Sequence, residues 1–444
     1  MASTGVVGAG WAAAAALYLG LSITGCGVPR SASGAAAETT PPNTPTVEGD
    51  TEATAAAATG DPFAKTIPWR VTPGVRSSLA GTLGSSEQVD VFDIGPAYAG
   101  DRLHVEVLAS AELDAVLAVF DADQNLMIAN DDRSYYGGLT DPLADAVVMH
   151  DTPGCLVAVS TSPTAPSSGA YTLELLLTED EAPAPPAPQR VYLNFDGASG
   201  VTIGTRPPVE VPVFDAASID PSFAGNSGQI ADNVAAMVRE DFTGLDVQFY
   251  SSRDGSPPAE PYTTIHFGAY DAALLGIAEN VDEYNEQPSQ QAIVFVDTFA
   301  AFAVLEPSVE EISQALTNVA SHETGHLLGL QHTCDTRSIM DITANLRQML
   351  GDQSFSRSPL NPADVFPIGY QDAPRLLFEN VGGDLAVARQ ASFMKRIAPR
   401  TWYDEGVGPP ARDRLIFGTC GHCIRAKAKR QAALHTAQGS APGR

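Results

Sequence analysis

His322-Glu323-Thr324-Gly325-His326-Leu327-Leu328-Gly329-Leu330-Gln331-His332 is the stretch that decides how this chain reads. Upstream of it, Ser308 opens a segment in which Val309, Ile312, Leu316, Val319 and Ala320 recur at helical spacing, so the first two histidines fall on a helix. Residues four apart project from one face on successive turns, which lets two imidazole nitrogens meet one ion. His332 would be carried out of reach if that helix ran straight on. Gly329 supplies the break, because a residue without Cβ enters left-handed conformations without penalty. Three neutral nitrogens suit zinc at roughly 2.0–2.1 Å and leave one position open, as a catalytic site requires. Glu323 sits beside the first ligand and cannot readily be a fourth. It is placed as a general base, taking a proton from a water that the metal acidifies and returning it to a leaving amine.

The bulk properties set limits around this motif. A chain of 444 residues is too long for one ordinary core, so two or three domains are expected. Its formal charge of -28 comes from an acidic body followed by a net basic C-terminal stretch. An acidic body excludes nucleic acid as the expected partner, since phosphate recognition needs a basic face. The acidity fits solubility, or a calcium-rich or salty exterior. Five cysteines in so long a chain do not make a disulfide framework.

The first segment reads as an address. Trp11 to Leu21 is a short apolar run of signal-peptide length, although residues 1–10 lack the usual Lys or Arg. It leads into Ile23-Thr24-Gly25-Cys26, which resembles a bacterial lipobox, and this implies lipidation at Cys26, export, and a membrane association through that anchor alone. The expected organisation is a signal at 1–25, a flexible tether at 26–61, and an all-β sandwich at 62–178. A stiff Pro-rich linker follows at 179–189, then a catalytic domain at 190–383 and a basic tail at 384–444. The sandwich rests on alternation in Leu103-His104-Val105-Glu106-Val107 and on the apolar runs Ala115 to Phe120, Cys155 to Ser160 and Ala170 to Leu177. Asp121, Asp123 and Asn125 offer alternating oxygens to Ca2+. The glycine and bidentate Glu of a full calcium loop are missing, so a hairpin turn is the simpler reading.

From Arg190 the period changes. Val191 to Phe195 reads as a strand, Gln229 to Phe242 as a helix, and Asp246 to Ser251, Thr263 to Gly268 and Ala292 to Asp297 as further strands. With the Ser308 helix this gives an α/β (α+β) domain on a mixed, mainly parallel sheet.

Two resemblances add to that reading. His-Glu-x-x-His-x-x-Gly-x-x-His resembles the metzincin signature, and Met340 in Ser338-Ile339-Met340-Asp341 is its candidate for the methionine turn beneath the metal. The resemblance implies a zinc endopeptidase acting on protein or peptide, with Met340 supporting the site without ligating. It also implies that Leu274 to Glu279 borders the cleft and pairs with extended substrate. Some relatives place a tyrosine two residues after that methionine. This chain has Ile342 there, so no oxyanion role is carried over. The stretch 62–178 is similar to the bacterial prepeptidase C-terminal domain, through Gly81-Thr82-Leu83, Gly100-Asp101-Arg102-Leu103, Phe120 to Leu126 and Gly169-Ala170-Tyr171-Thr172-Leu173.

Several features stay open. Asp282 and Glu283 read as a solvated turn. Cys334 either joins a disulfide or packs quietly, with packing the simpler reading. Cys155 lies in an apparent strand and is ill placed to block a metal. Cys420-Gly421-His422-Cys423 looks like a thiol exchange site, but too little chain follows it to complete a thioredoxin-like fold. The rival functions are a surface binding or adhesion protein with a vestigial zinc site, and a zinc hydrolase of non-peptide amides.

Overall fold

The computed structural model describes residues 61–394, except 134–138, 180–182, 184 and 205. The signal-like segment, Cys26, the tether up to residue 60 and the Cys420–Cys423 motif lie outside the described residues. Among the described residues, no helix is long and apolar enough to cross a membrane.

Alternating side chains build the first half as two facing sheets. In strand Arg102–Ala109, Leu103, Val105 and Val107 are buried while His104 and Glu106 stay partly exposed, the period-two pattern of a sheet with one inner face. The four-stranded sheet runs in the order Ser77–Leu83, Gly169–Thr178, Arg102–Ala109, Leu143–Val147. The five-stranded sheet runs Ile67–Pro68, Val89–Asp93, Leu156–Thr161, Ala115–Phe120, Leu126–Asn130. Their inner faces share one core that includes Leu103, Val105, Leu117, Val119, Val157, Leu173 and Leu175. Strand Ala115–Phe120 is buried at every position, so its second face must also be covered. Val116, Ala118 and Phe120 lie under Leu360, Val365 and Phe366 from the second half of the chain.

The second half is layered, with helices on a sheet of its own. Its elements are β1 (Gln189–Asn194), α1 (Ser227–Asp241), β2 (Val247–Ser251), β3 (Thr263–Phe267), β4 (Gly276–Ala278), β5 (Gln291–Val294), α2 (Val309–His326), α3 (Ala373–Val381) and α4 (Leu385–Met394). The sheet order is β2-β1-β3-β5-β4, with parallel neighbours except β4, which pairs antiparallel to β5 at the edge. Helices α1 and α2 cover one face through Ile230, Val234, Val238, Ile312, Leu316 and Ala320. The opposite face is closed by Val201, Ile203 and Val211, packed on Ile277, Ile293 and Phe295.

Three local expectations shift. The strand read as Ala292 to Asp297 ends at Val294 and passes into a 3-10 run, Val296–Leu305, closed by Glu306 at φ 49°. An apolar run with buried Phe299 and Phe302 cannot by itself distinguish strand from buried helix. The Pro-rich linker read as 179–189 gives way one residue early, since Gln189 already begins β1, 2% exposed, and the Ala187 N–H before it donates to Asn380 O. Helix α4 lies in the stretch read as tail. It abuts Gly244 through Ala388, and Arg389 reaches Asp372 at 2.5 Å.

Asp121 accepts from Asn125 N and Nδ2, both at 2.8 Å, and Asn125 Oδ1 accepts from Arg357 Nε at 2.6 Å. These bonds close a hairpin turn, the simpler of the two readings, with its oxygens turned to N–H donors.

Candidate metal centre

Helix α2 starts as its sequence dictates. Ser308 caps it, accepting from Glu311 N at 3.2 Å, while the Glu311 carboxylate accepts from Ser308 N at 2.8 Å. This capping box satisfies two of the free N–H groups at the start of the helix. From Ile312 onward every residue of the helix is buried, so the chemistry at its end rests on a rigid rod.

The helix ends in a Schellman turn. Leu330 N donates to Gly325 O and Gly329 N to His326 O, each at 2.9 Å, with Gly329 at φ 93°. A Cβ on Gly329 would fall 2.7 Å from Asn380 Nδ2 and 3.0 Å from Asp282 O. Both the backbone angle and the space therefore require glycine, and the chain turns back to deliver His332.

The structure brings His322, His326 and His332 together. His326 Nε2 lies 3.0 Å from His322 Nε2 and 3.0 Å from His332 Nε2. Each ring's other nitrogen faces an acceptor: His322 Nδ1 meets Ile339 O at 2.7 Å, His326 Nδ1 meets Leu330 O at 2.7 Å, and His332 Nδ1 meets Asp364 Oδ2 at 2.8 Å. Acceptors on all three Nδ1 atoms place the protons there and leave three Nε2 lone pairs aimed at one point. All three rings are buried, and burial, with the His332 ring close by, pushes the His322 pKa down to about 3, so that ring is neutral. Converging lone pairs repel unless a cation lies between them. A tetrahedral zinc at ~2.05 Å from each nitrogen would set them about 3.3 Å apart, close to the separations seen. The donor set fits zinc.

Glu323 is wholly buried, and its carboxylate lies against β4. A Cβ added to Gly276 would meet Glu323 Oε1 at 2.4 Å and Val319 Cγ1 at 2.7 Å. Beside it opens a small recess lined by Leu275, Gly276, Val319, His322, Glu323 and Ile339. Met340 is buried, and a Cβ on Gly325 would strike its sulfur at 2.6 Å. The turn around it is fixed by Asp341 N to Ser338 O and by Thr333 N to Met340 O at 2.8 Å. Burial pushes the Asp341 pKa up to about 6, and its carboxyl accepts from Thr343 and Ala344.

Other readings change. Asp282 is 3% exposed and not solvated. Its N–H donates to His326 O, and its carboxylate accepts from Glu286 N, Gln287 N and Gln290 Nε2. Cys334 is disulfide-bonded, which corrects the expectation of quiet packing: its proximity to the site motif carried no information about a distant thiol. Cys155 is a free thiol in the sandwich core, its pKa raised to about 12 by burial. Sequence reasoning missed Asp364 altogether. The available signal was a carboxyl set between Leu360 and Val365-Phe366, since an acid among buried neighbours needs a partner.

Comparison with known proteins gives one family match. A matrixin family model matches residues 239–356, the segment that holds α2 and all three histidines. Matrixins are zinc metallopeptidases, so the match supports a metallopeptidase at the level of the family. No curated protein matches the chain. Among solved structures, a periplasmic inhibitor of g-type lysozyme from Aeromonas hydrophila is 16% identical, with 26% of this chain and 96% of that one covered and a TM-score of 0.21. The pre-peptidase C-terminal domain of a collagenase from Bacillus anthracis is 13% identical, covering 26% and 94% at a TM-score of 0.19. A family two carbohydrate esterase from Cellvibrio japonicus is 11% identical, covering 40% and 52% at 0.14. Likeness this faint assigns no activity.

Proposed function

We propose that this chain is a zinc-dependent endopeptidase of the metzincin kind, with zinc held by His322, His326 and His332 and Glu323 as general base. The observation that carries the reading is the convergence of three Nε2 atoms whose rings are each oriented by an acceptor at Nδ1. Zinc, when bound, supplies a Lewis acid that polarises the scissile carbonyl and acidifies water. Glu323, one residue past His322 and facing the recess, takes the proton of the attacking water and hands it to the departing amine. Gly276 keeps that carboxylate's approach clear, and edge strand β4 offers main-chain groups to an extended peptide. Gly329 and Met340 are structural supports in this reading. Export with an anchor at Cys26 is part of the same proposal, and its support is the lipobox resemblance.

The test is metal analysis of the purified full chain, paired with cleavage of a denatured protein with and without chelator. One zinc per chain and chelator-sensitive cleavage are expected. Glu323→Gln should keep the zinc and lose turnover. Unchanged behaviour of that variant, in a chain that binds partners but cleaves nothing, would favour the adhesion reading. Turnover only on small amides would favour the non-peptide hydrolase.

A further inference from the structure

The three imidazoles are not supported alike. His322 and His326 rest on carbonyls of Ile339 and Leu330, in turns directly below them. His332 rests on a side chain, Asp364, carried by a loop that has little regular structure of its own. The setting of this third ring is therefore only as firm as the placement of loop 360–369.

That loop is fastened on two sides. Toward the site, Asn361 N donates to His332 O at 3.0 Å. Away from it, Leu360, Val365 and Phe366 are buried in a cluster whose remaining fully buried members all belong to the β-sandwich. The Phe366 ring stands edge-on to Phe120 with centroids 5.6 Å apart, and a Cβ on Gly369 would lie 2.3 Å from that same Phe120 ring. Polar pins flank the loop at both ends. Arg357 donates to Asn125 Oδ1 and Asp123 O, and Tyr370 N donates to Gln124 O, so both ends hold one hairpin turn of the sandwich. The Arg357 guanidinium also lies 3.8 Å from the Tyr370 ring centroid.

A second line of contact reaches the same bend. Tyr284 packs against the sandwich core. Its neighbour Glu283 lies against Gly329, where an added Cβ would meet the Glu283 Cα at 3.3 Å, and Asp282 N donates to His326 O. The sandwich thus backs the turn between the second and third histidines from two directions.

We propose that the β-sandwich is a working part of the metal centre: by clamping loop 360–369 it holds Asp364 as the positioning residue of His332. This inference rests on the zinc reading above. Losing a partner that orients a ligand imidazole typically weakens metal binding by about 10–100-fold.

The experiment measures zinc affinity of the full chain by competition with a chromogenic chelator, alongside circular dichroism and melting temperature. Asp364→Ala should weaken binding ~10–100-fold, and Asp364→Asn, which keeps an acceptor oxygen, should fall between it and wild type. Phe366→Leu and Arg357→Ala, which touch no imidazole, should each weaken binding in the same direction. Adding Asp364→Ala to Phe366→Leu should cost less than Asp364→Ala alone, because both act through one contact. Arg102→Ala, on the four-stranded sheet and paired with Asp145, should leave zinc affinity at wild type. If Phe366→Leu fails to fold, Arg357→Ala and Val365→Ala carry the comparison. Folded variants with wild-type zinc affinity, or strictly additive effects, overturn the inference while leaving the peptidase reading intact. Wild type that takes up no zinc removes the peptidase reading, and this inference with it.

Discussion

Gly276→Ala separates catalysis from metal binding with a single methyl group. The added Cβ would stand 2.4 Å from Glu323 Oε1 and 2.7 Å from Val319 Cγ1. Ordinary contact needs roughly 3.5 Å, so the carboxylate must retreat by about 1 Å. No left-handed backbone is involved, and the nearest atom is the far end of a side chain. The cost to stability is therefore modest, about 1–3 kcal/mol of overpacking. The cost to rate is larger, because a 1 Å misplacement of a reacting group lowers turnover by about 100-fold. The three atoms nearest this methyl belong to Glu323 and Val319 and none to a histidine, so zinc content should stay at wild type. Turnover on a fluorogenic peptide, measured beside metal content, reads both quantities. Wild-type turnover in a folded, zinc-loaded variant would refute the placement of Glu323 as the base, and parallel loss of zinc would refute the separation.

Other outcomes follow from the same geometry. Gly329→Ala combines an unfavourable φ with a 2.7 Å clash, so both melting temperature and zinc affinity should fall, as calorimetry and chelator competition would record. Removing zinc with a chelator should lower the melting temperature reversibly; at free zinc 100-fold above Kd the difference is about 2.7 kcal/mol, and no shift on readdition would count against the site. His150 joins the two halves of the chain, bonding Glu379 at 2.7 Å with Asp121 at 3.6 Å. Those carboxylates raise its pKa from 6.5 to about 9, so its stabilisation is complete below the unfolded value and lost as pH rises through about 9. Melting temperature should decline across that window, and His150→Gln should flatten the decline.

Much of this architecture was legible from local pattern. The capping box at Ser308, the spacing of α2 and the glycine that ends it are short-range features, each written within a few neighbouring residues. The alternation in Arg102–Ala109 likewise reports its own inner face. What escaped was everything set by distant packing. The six buried positions of Ala115–Phe120 signal a second cover but not which segment supplies it. Asp364 lies 32 residues from His332, and nothing in its neighbourhood names an imidazole as its partner. Asp282 looked solvated because acidic pairs usually are, yet three N–H donors and a helix end enclose it. Tertiary structure, and not local propensity, decided each of these.

The way Phe366 and Phe120 share one sealed seam has a consequence for how the molecule would age in a proteolytic environment. Residues 185–188 of the connection between the two halves are exposed, whereas the seam is closed by apolar rings, by Arg357 and by His150. A nick in that connection would leave both fragments seated, migrating together on a sizing column and parting only in denaturant. Maturation by such a cut would change the chain's covalent continuity and keep its working assembly whole.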